Sequence, residues 1–473
     1  MQHTTIARGV AVIAPALFVV VACGSEAMES TFEEGAATEP TEAMTPSLGI
    51  LPPSSGEPCE GLACQQVACT GGAATTISGT VTAPNGTLPL YNAIVYVPNA
   101  PLEPIASGAS CDRCGYVSGK PLVSTVSGVD GRFVLKDVPA GKDIPLVVQI
   151  GKWRRLVTLP KVDACADNPI TDKNLTRLPR NKKEGDLPKI AVTTGRCDQL
   201  ACLLPKLGLD ASEFTADTGP GALHVYRGAA HPTSKPIAAP APKGSRAATA
   251  LTGDLATMKK YDILMLSCEC GEHDETKPPA AKKALYDFMN AGGRVFASHF
   301  HYTWADSGPL ASTAQWVGSP DNPSNKPGPY LVDQSFPKGS AFAKWLVNVD
   351  ASKTLGQVPI SQPRHDVVGV VSPTQRWVYR KDANASLPET TNYLTVNTPV
   401  GAPADQQCGK FVFGDMHLWG GDVQDPATAL PNDAFPQSCG TELTPEEKAL
   451  AFLFFDLASC VQDEQAEPIA PIR

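Results

Sequence analysis

The chain lacks an apolar run able to cross a bilayer near its start: Val10 to Ala22 holds 13 residues, against the ~20 that a spanning helix needs. Positive charge is also in short supply. Lys and Arg number 39 against 48 Asp and Glu, a formal charge of −9, and the one long basic stretch is Arg177 to Lys183 (RLPRNKK). That balance excludes a polyanion, and with it nucleic acid, as a partner. From Gly24 to Pro58 Lys and Arg are absent altogether beside seven Glu. A segment so composed cannot bury enough apolar surface to fold, and it reads as a self-repelling tether. Two chemical signatures are missing as well. No second Cys-x-x-Cys completes the CDRC of Cys111 and Cys114, and no glycine flanks Ser298-His299 as a nucleophile on a tight strand-to-helix elbow would want.

What is present begins with an export signal. Arg8 precedes the short apolar run, which ends in Val20-Val21-Ala22-Cys23 and resembles a bacterial lipobox. The resemblance implies cleavage before Cys23, diacylglycerol on its thiol, and a membrane as partner through that lipid. Gly24 stands where an Asp would retain such a lipoprotein at the inner membrane, so the outer membrane is expected. The expected division is a signal peptide over 1–22 and a lipidated tether over 23–72. Thirteen cysteines follow Cys23 in an oxidising space where disulfides persist, and the odd count leaves one thiol free or bonded to another chain.

With 473 residues and 42% hydrophobic content the chain has material for two or three cores. Between 76 and 160 short alternating runs (ISGTVTAP, AIVYVP, GRFVLKDV, IPLVVQI) are separated by Asn85-Gly86 and Asp130-Gly131 turns, predicting an all-β sandwich over 73–175. The stretches SGTVTAPNG, NAIVYV and VDGRFVLKDVPAGKDIPLVV resemble the carboxypeptidase regulatory-like domain, a transthyretin-type, carbohydrate-binding-like sandwich. An insertion from Pro98 to Leu122 departs from that pattern. The basic KWRR of Lys152 to Arg155 covers the sandwich surface or faces the next domain.

From 186 to 462 strand-like runs alternate with helical spacing: PKIAVTTG, DLATMKKYDILMLSCECG, PPAAKKALYDFMNAGGRVFASHFHYTW, GKFVFGDMHL and TPEEKALAFLFFDLASC. Alternation of this kind predicts a doubly wound, flavodoxin-like parallel sheet with a tail over 463–473. Residues 305 to 405 are expected as extended loops over one sheet edge. FMNAGGRVFASHFH and CGKFVFGDMH resemble the ThuA-like branch of the class I glutamine amidotransferase-like fold. The resemblance implies that His299 and His417 stand at strand ends near the site.

Open α/β sheets bind ligands at the carboxyl ends of their strands. The candidate crevice residues are Glu269, His273, His299, His301, Tyr302, Trp304, Asp415 and His417. Strand residues two apart share a face, so His299 with His301, and Asp415 with His417, form a candidate zinc-like set for a divalent metal. The alternative is that strand-end histidines hydrogen-bond loop backbone. Ser298 is a candidate nucleophile, while Phe296 and Phe300 argue against glutamine hydrolysis by the family's usual route. Glu269, Glu272 and Asp274 fit a solvated loop before a helix start. Tyr302 and Trp304 fit a sugar-stacking platform or the core. Cysteines are expected as clamps: Cys111 with Cys114, and Cys197 or Cys202 with Cys268 or Cys270.

The expected function is a non-catalytic cell-envelope lipoprotein binding a glycan or other small ligand. The rivals are a metal-assisted hydrolase or sugar-processing enzyme using the His/Asp set, and a structural module contacting other envelope proteins. A cytoplasmic (β/α)8 barrel of the tryptophan synthase alpha-chain kind does not fit the lipobox, the sandwich or the cysteines.

Overall fold

The computed structural model describes residues 59–112, 114–195, 197–198, 200–229, 241–318, 328–381, 389–418 and 439–471. The signal peptide, Cys23 and most of the tether lie outside the described residues. Cys59–Arg473 forms one compact unit.

Seven strands open it: β1 (Thr76–Thr80), β2 (Ile94–Pro98), β3 (Pro121–Val126), β4 (Arg132–Lys136), β5 (Gly141–Ile150), β6 (Trp153–Val162) and β7 (Asp167–Pro169). They make two sheets, β4-β1-β7 and β3-β2-β5-β6. In β4 the side chains alternate between exposed and buried, the mark of a strand with one wet face. Ile77, Val95, Phe133, Leu146 and Val148 fill the space between the sheets.

The rest of the chain builds one ten-stranded sheet. Its parallel half uses β8 (Ile190–Thr193), β9 (Phe214–Ala216), β10 (Leu223–Tyr226), β11 (Ile263–Leu266) and β12 (Arg294–Ser298). After the small ladder of β13 (Ala314–Trp316) with β16 (Val367–Val370) come β14 (Gly328–Val332), β15 (Gln357–Ile360), β17 (Gln375–Lys381), β18 (Glu389–Thr398) and β19 (Gly409–Gly414). The order is β15-β14-β17-β18-β19-β12-β11-β8-β10-β9, parallel from β19 to β9 and antiparallel from β15 to β19. The sheet is therefore mixed rather than wholly parallel. Much of 305–405, expected as loop, forms its antiparallel wing. The ten-residue β18 is buried along nearly its whole length, so its Thr- and Asn-rich sequence carries no inside-outside alternation to read. Some of its polar side chains find partners inside the fold, as where Trp377 Nε1 donates to Thr395 Oγ1 at 2.9 Å.

Helices cover both faces. On one lie α1 (Leu200–Lys206), α5 (Pro337–Asn348) and α6 (Pro445–Ala458); on the other α2 (Thr249–Thr252), α3 (Leu255–Met258) and α4 (Pro279–Asn290). In α4 the apolar Ala281, Leu285, Phe288 and Met289 are buried at helical spacing. Thr444 and Glu447 close a capping box at the start of α6. Phe452 of α6 stacks on Tyr91 of the sandwich, and Trp345 Nε1 of α5 donates to the Pro89 carbonyl. Lys152 crosses to Asp262 at 2.6 Å, so the KWRR segment faces the α/β part. One hydrophobic cluster runs through both parts.

Six disulfides tie the unit, and two correct the expected CDRC clamp. Cys111 bonds Cys408 and Cys114 bonds Cys460, fastening the sandwich insertion to the α/β part. Spacing of three in sequence did not fix the partner, because disulfide choice depends on Cα separation and direction in space; the bonded pairs stand 4.5 and 4.9 Å apart at Cα. Cys197 bonds Cys270 and Cys202 bonds Cys439, while Cys59–Cys64 and Cys69–Cys165 hold the entry to the sandwich. Cys268, expected as a possible bridge partner, is free and buried.

Candidate functional site

The chain lays β8 and β10 on one side and then crosses to β11, β12 and β19 on the other, so the carboxyl ends of β8 and β11 border the reversal point. Ligand crevices form at such points. Gly195 is needed where β8 ends, since a Cβ there would stand 2.0 Å from the Cys268 carbonyl oxygen. The close pass brings Cys197 to Cys270, whose bridge pins the loop after β11.

Pairing Cys270 with Cys197 leaves Cys268 to face the neighbouring strand ends. Its Sγ lies 3.4 Å from His299 Nδ1 and 3.4 Å from His417 Nε2, and the two imidazole nitrogens are 2.7 Å apart. These three buried side chains form the one cluster with metal-ligand spacing among the described residues. His299 adopts φ +35°, left-handed backbone that a β-branched or bulky residue rarely takes. The sharp turn at the end of β12 thus exists, with histidine on it and no glycine beside it. Strain held at one position by surrounding structure is a common property of functional sites.

Two further residues frame the cluster. Arg364 Nη2 donates to His417 Nδ1 at 2.8 Å. Asp366 Oδ2 stands 3.6 Å from His299 Nε2, and the Asp366 backbone N–H donates to Asp415 Oδ2 at 2.7 Å. Neither Arg364 nor Asp366 was found from the sequence, because both lie in the stretch read as loop; the PRHD run was its only signal. Burial drives the electrostatics. It pushes the His299 imidazole well below its ordinary range, with the His417 and Arg364 charges adding to the effect, and brings His417 down to about 3. Burial raises the Cys268 thiol to about 12. All three groups are neutral near pH 7, so the thiol is a poor free nucleophile, whereas neutral imidazoles are ready ligands and a bound cation displaces a thiol proton.

The expected metal set is only half assembled. His301 does not join His299, because a 3-10 helix over His299–Trp304 replaces the strand on which residues two apart share a face. Its Nε2 lies 2.8 Å from the Ser267 carbonyl. Asp415 is fully buried and holds the Asp366 backbone; desolvation and the Asp366 carboxylate push its carboxyl well above the ordinary range. Ser298 Oγ accepts from Cys268 N–H at 3.0 Å and donates to the Leu266 carbonyl at 3.2 Å, which ties β12 to β11 and engages the hydroxyl away from nucleophilic work. Glu269 accepts from the Ala229 N–H at 2.7 Å. His273 faces the exposed Glu275 at 3.2 Å, Tyr302 bonds Glu272, and Trp304 lies under Lys277 with 5.9 Å from ammonium to ring centre.

No protein-family model and no curated protein matches the chain. Solved structures similar to parts of it include a type II cohesin–X-dockerin complex from Acetivibrio cellulolyticus, at 14% identity over 31% of this chain and 79% of that one, with a TM-score of 0.15. A cytoplasmic protein from Salmonella typhimurium matches at 11% identity over 50% of this chain and 91% of that one, TM-score 0.27. A β-galactosidase from Rahnella sp. R3 matches at 11% identity over 49% of this chain and 29% of its own length, TM-score 0.24. Likenesses at such scores bear neither on ligand nor on activity.

Proposed function

We propose that the protein is a lipid-anchored cell-envelope protein whose α/β part carries a metal centre, with Cys268, His299 and His417 holding a divalent ion of the zinc class. The observation that carries this is a free, fully buried thiol between two neutral imidazoles, where every other cysteine among the described residues is paired in a disulfide. Soft sulfur plus imidazole nitrogen is the donor set zinc prefers. A tetrahedral zinc spaces its sulfur and nitrogen ligands by ~3.6 Å and its nitrogens by ~3.3 Å. The two S–N separations of 3.4 Å need little adjustment, and the imidazoles must part by about half an ångström.

Arg364 opposes ion uptake. A guanidinium only donates, so His417 Nδ1 accepts and the proton of the neutral ring sits on Nε2, the ligand atom. Loading the site therefore requires Arg364 to turn aside and His417 to change tautomer. Elemental analysis of folded protein purified without chelators tests the reading. One zinc per chain is expected, lost in Cys268→Ser and His299→Ala and bound more tightly in Arg364→Leu. Folded protein that takes up no stoichiometric divalent metal sinks the idea.

The cluster supplies three donors, and a tetrahedral ion held by them would keep one position for water, so the second reading is metal-assisted hydrolysis. The flavodoxin-like reading of the α/β part, and its ThuA-like resemblance, are supported by the run β10-β8-β11-β12-β19. The envelope reading rests on the lipobox; labelling of the whole chain with radioactive palmitate, absent in Cys23→Ser, checks it. Glycan binding rests on the regulatory-like sandwich, and a glycan array that retains none of the folded protein removes it.

A further inference from the structure

A cavity of about 140 Å³ opens beside the strand ends, lined in part by Thr193, Arg227, Glu269, Lys277, His301 and Trp304. None of the three proposed metal ligands lines it. Four of its lining residues hold buried polar atoms without a hydrogen-bond partner among the described residues: Thr193 Oγ1, Arg227 Nε, His301 Nδ1 and Trp304 Nε1. Thr193, His301 and Trp304 are each more than nine-tenths buried. Leaving one such atom unpaired costs ~1–3 kcal/mol, and four around one cavity describe a site built for a ligand.

Their chemistry limits what fits. Arg227 Nε and Trp304 Nε1 only donate. His301 Nε2 faces the Ser267 carbonyl, so it carries the ring proton and Nδ1 accepts. Thr193 can do either. Glu269 and Lys277 are already engaged, the first with the Ala229 N–H and the second with the carbonyls of Glu272 and His273. Arg227 and Lys277 against Glu269 leave the wall one net positive charge, and of the two cations Arg227 is the one with a buried N–H still to donate. The ligand must accept from a cation and an indole and give a hydrogen to an imidazole. A cavity of ~150 Å³ takes a ligand the size of benzene, so the space suits about six or seven non-hydrogen atoms.

We propose that this cavity binds a small hydroxycarboxylate, its carboxylate on Arg227 and Trp304 and its hydroxyl on His301. Calorimetric titration of the full chain with lactate and glycerate tests this, with propionate and glycerol as controls. The protein is freed of metal by chelation first, so that failure of the metal centre and failure of this site are separable. At least one hydroxycarboxylate is expected to bind, with propionate and glycerol at least about tenfold weaker. Arg227→Gln should abolish binding. Trp304→Phe, which keeps the ring beside Lys277, should weaken it about tenfold. No binding of either acid by folded protein, or equal affinity in both variants, overturns the proposal.

Discussion

At the scale of single residues, charge burial decides more than charge count. Glu184 accepts from Arg177 Nη1 at 2.6 Å and Nη2 at 2.9 Å, and from Arg180 Nη2 at 2.7 Å. The Arg177 hydrogen bonds hold its carboxyl well below 4.5, its ordinary value, against the opposing effect of burial. A carboxylate with a depressed folded-state pKa contributes stability that is complete above its unfolded value and lost as pH falls toward the folded one. Glu184→Gln should therefore cost ~1–2 kcal/mol at pH 7. Denaturation midpoints compared at pH 7 and pH 3 should show the gap narrowing in acid. RLPRNKK, a basic run in sequence, is in part an internal clamp, since Arg177 is buried and turned onto Glu184.

At the scale of elements, α6 shows how one helix serves two layers. Its apolar residues Phe452 and Phe455 meet the sandwich through Tyr91 and Trp153. Asp456 meanwhile sits between two buried ammonium groups, Lys338 of α5 and Lys410 of β19, at 2.8 Å from each. Glu464 contacts the same two lysines. Asp456→Ala leaves two buried cations with a single carboxylate, and the expected cost is ~3–5 kcal/mol, read as a fall in the urea midpoint. Elements with one wet face, such as β4 and α4, were legible in the sequence because their periodicity reports burial on one side. β18 was not, because it is covered on both faces and its threonines and asparagines are buried along with its apolar residues. The same blind stretch hid Arg364 and Asp366, so half of the site's frame was invisible beforehand. His299 and His417 were legible as strand-end residues, while His301 was misjudged when the strand gave way to a 3-10 turn.

At the scale of the whole molecule, the sandwich and the α/β part share a core and are stapled by Cys111–Cys408 and Cys114–Cys460, separated by 297 and 346 residues in sequence. Bridges over such spans restrain the unfolded chain most, by ~3–5 kcal/mol each in the entropic account, although other bridges shorten the effective loop. The paired variant Cys114→Ser with Cys460→Ser should lower the thermal midpoint and expose the insertion around Tyr116 to limited proteolysis. Unchanged melting and an unchanged cleavage pattern would count against the staple. Sequence by itself determined the parity: thirteen cysteines after Cys23 cannot all pair within one chain. It also determined which segments alternate, and that histidines fall at strand ends. Tertiary structure alone decided that Cys268 stays single and meets His299 and His417, because disulfide choice depends on Cα separations and directions in space. Those separations arise only when β8, β11, β12 and β19 lie side by side.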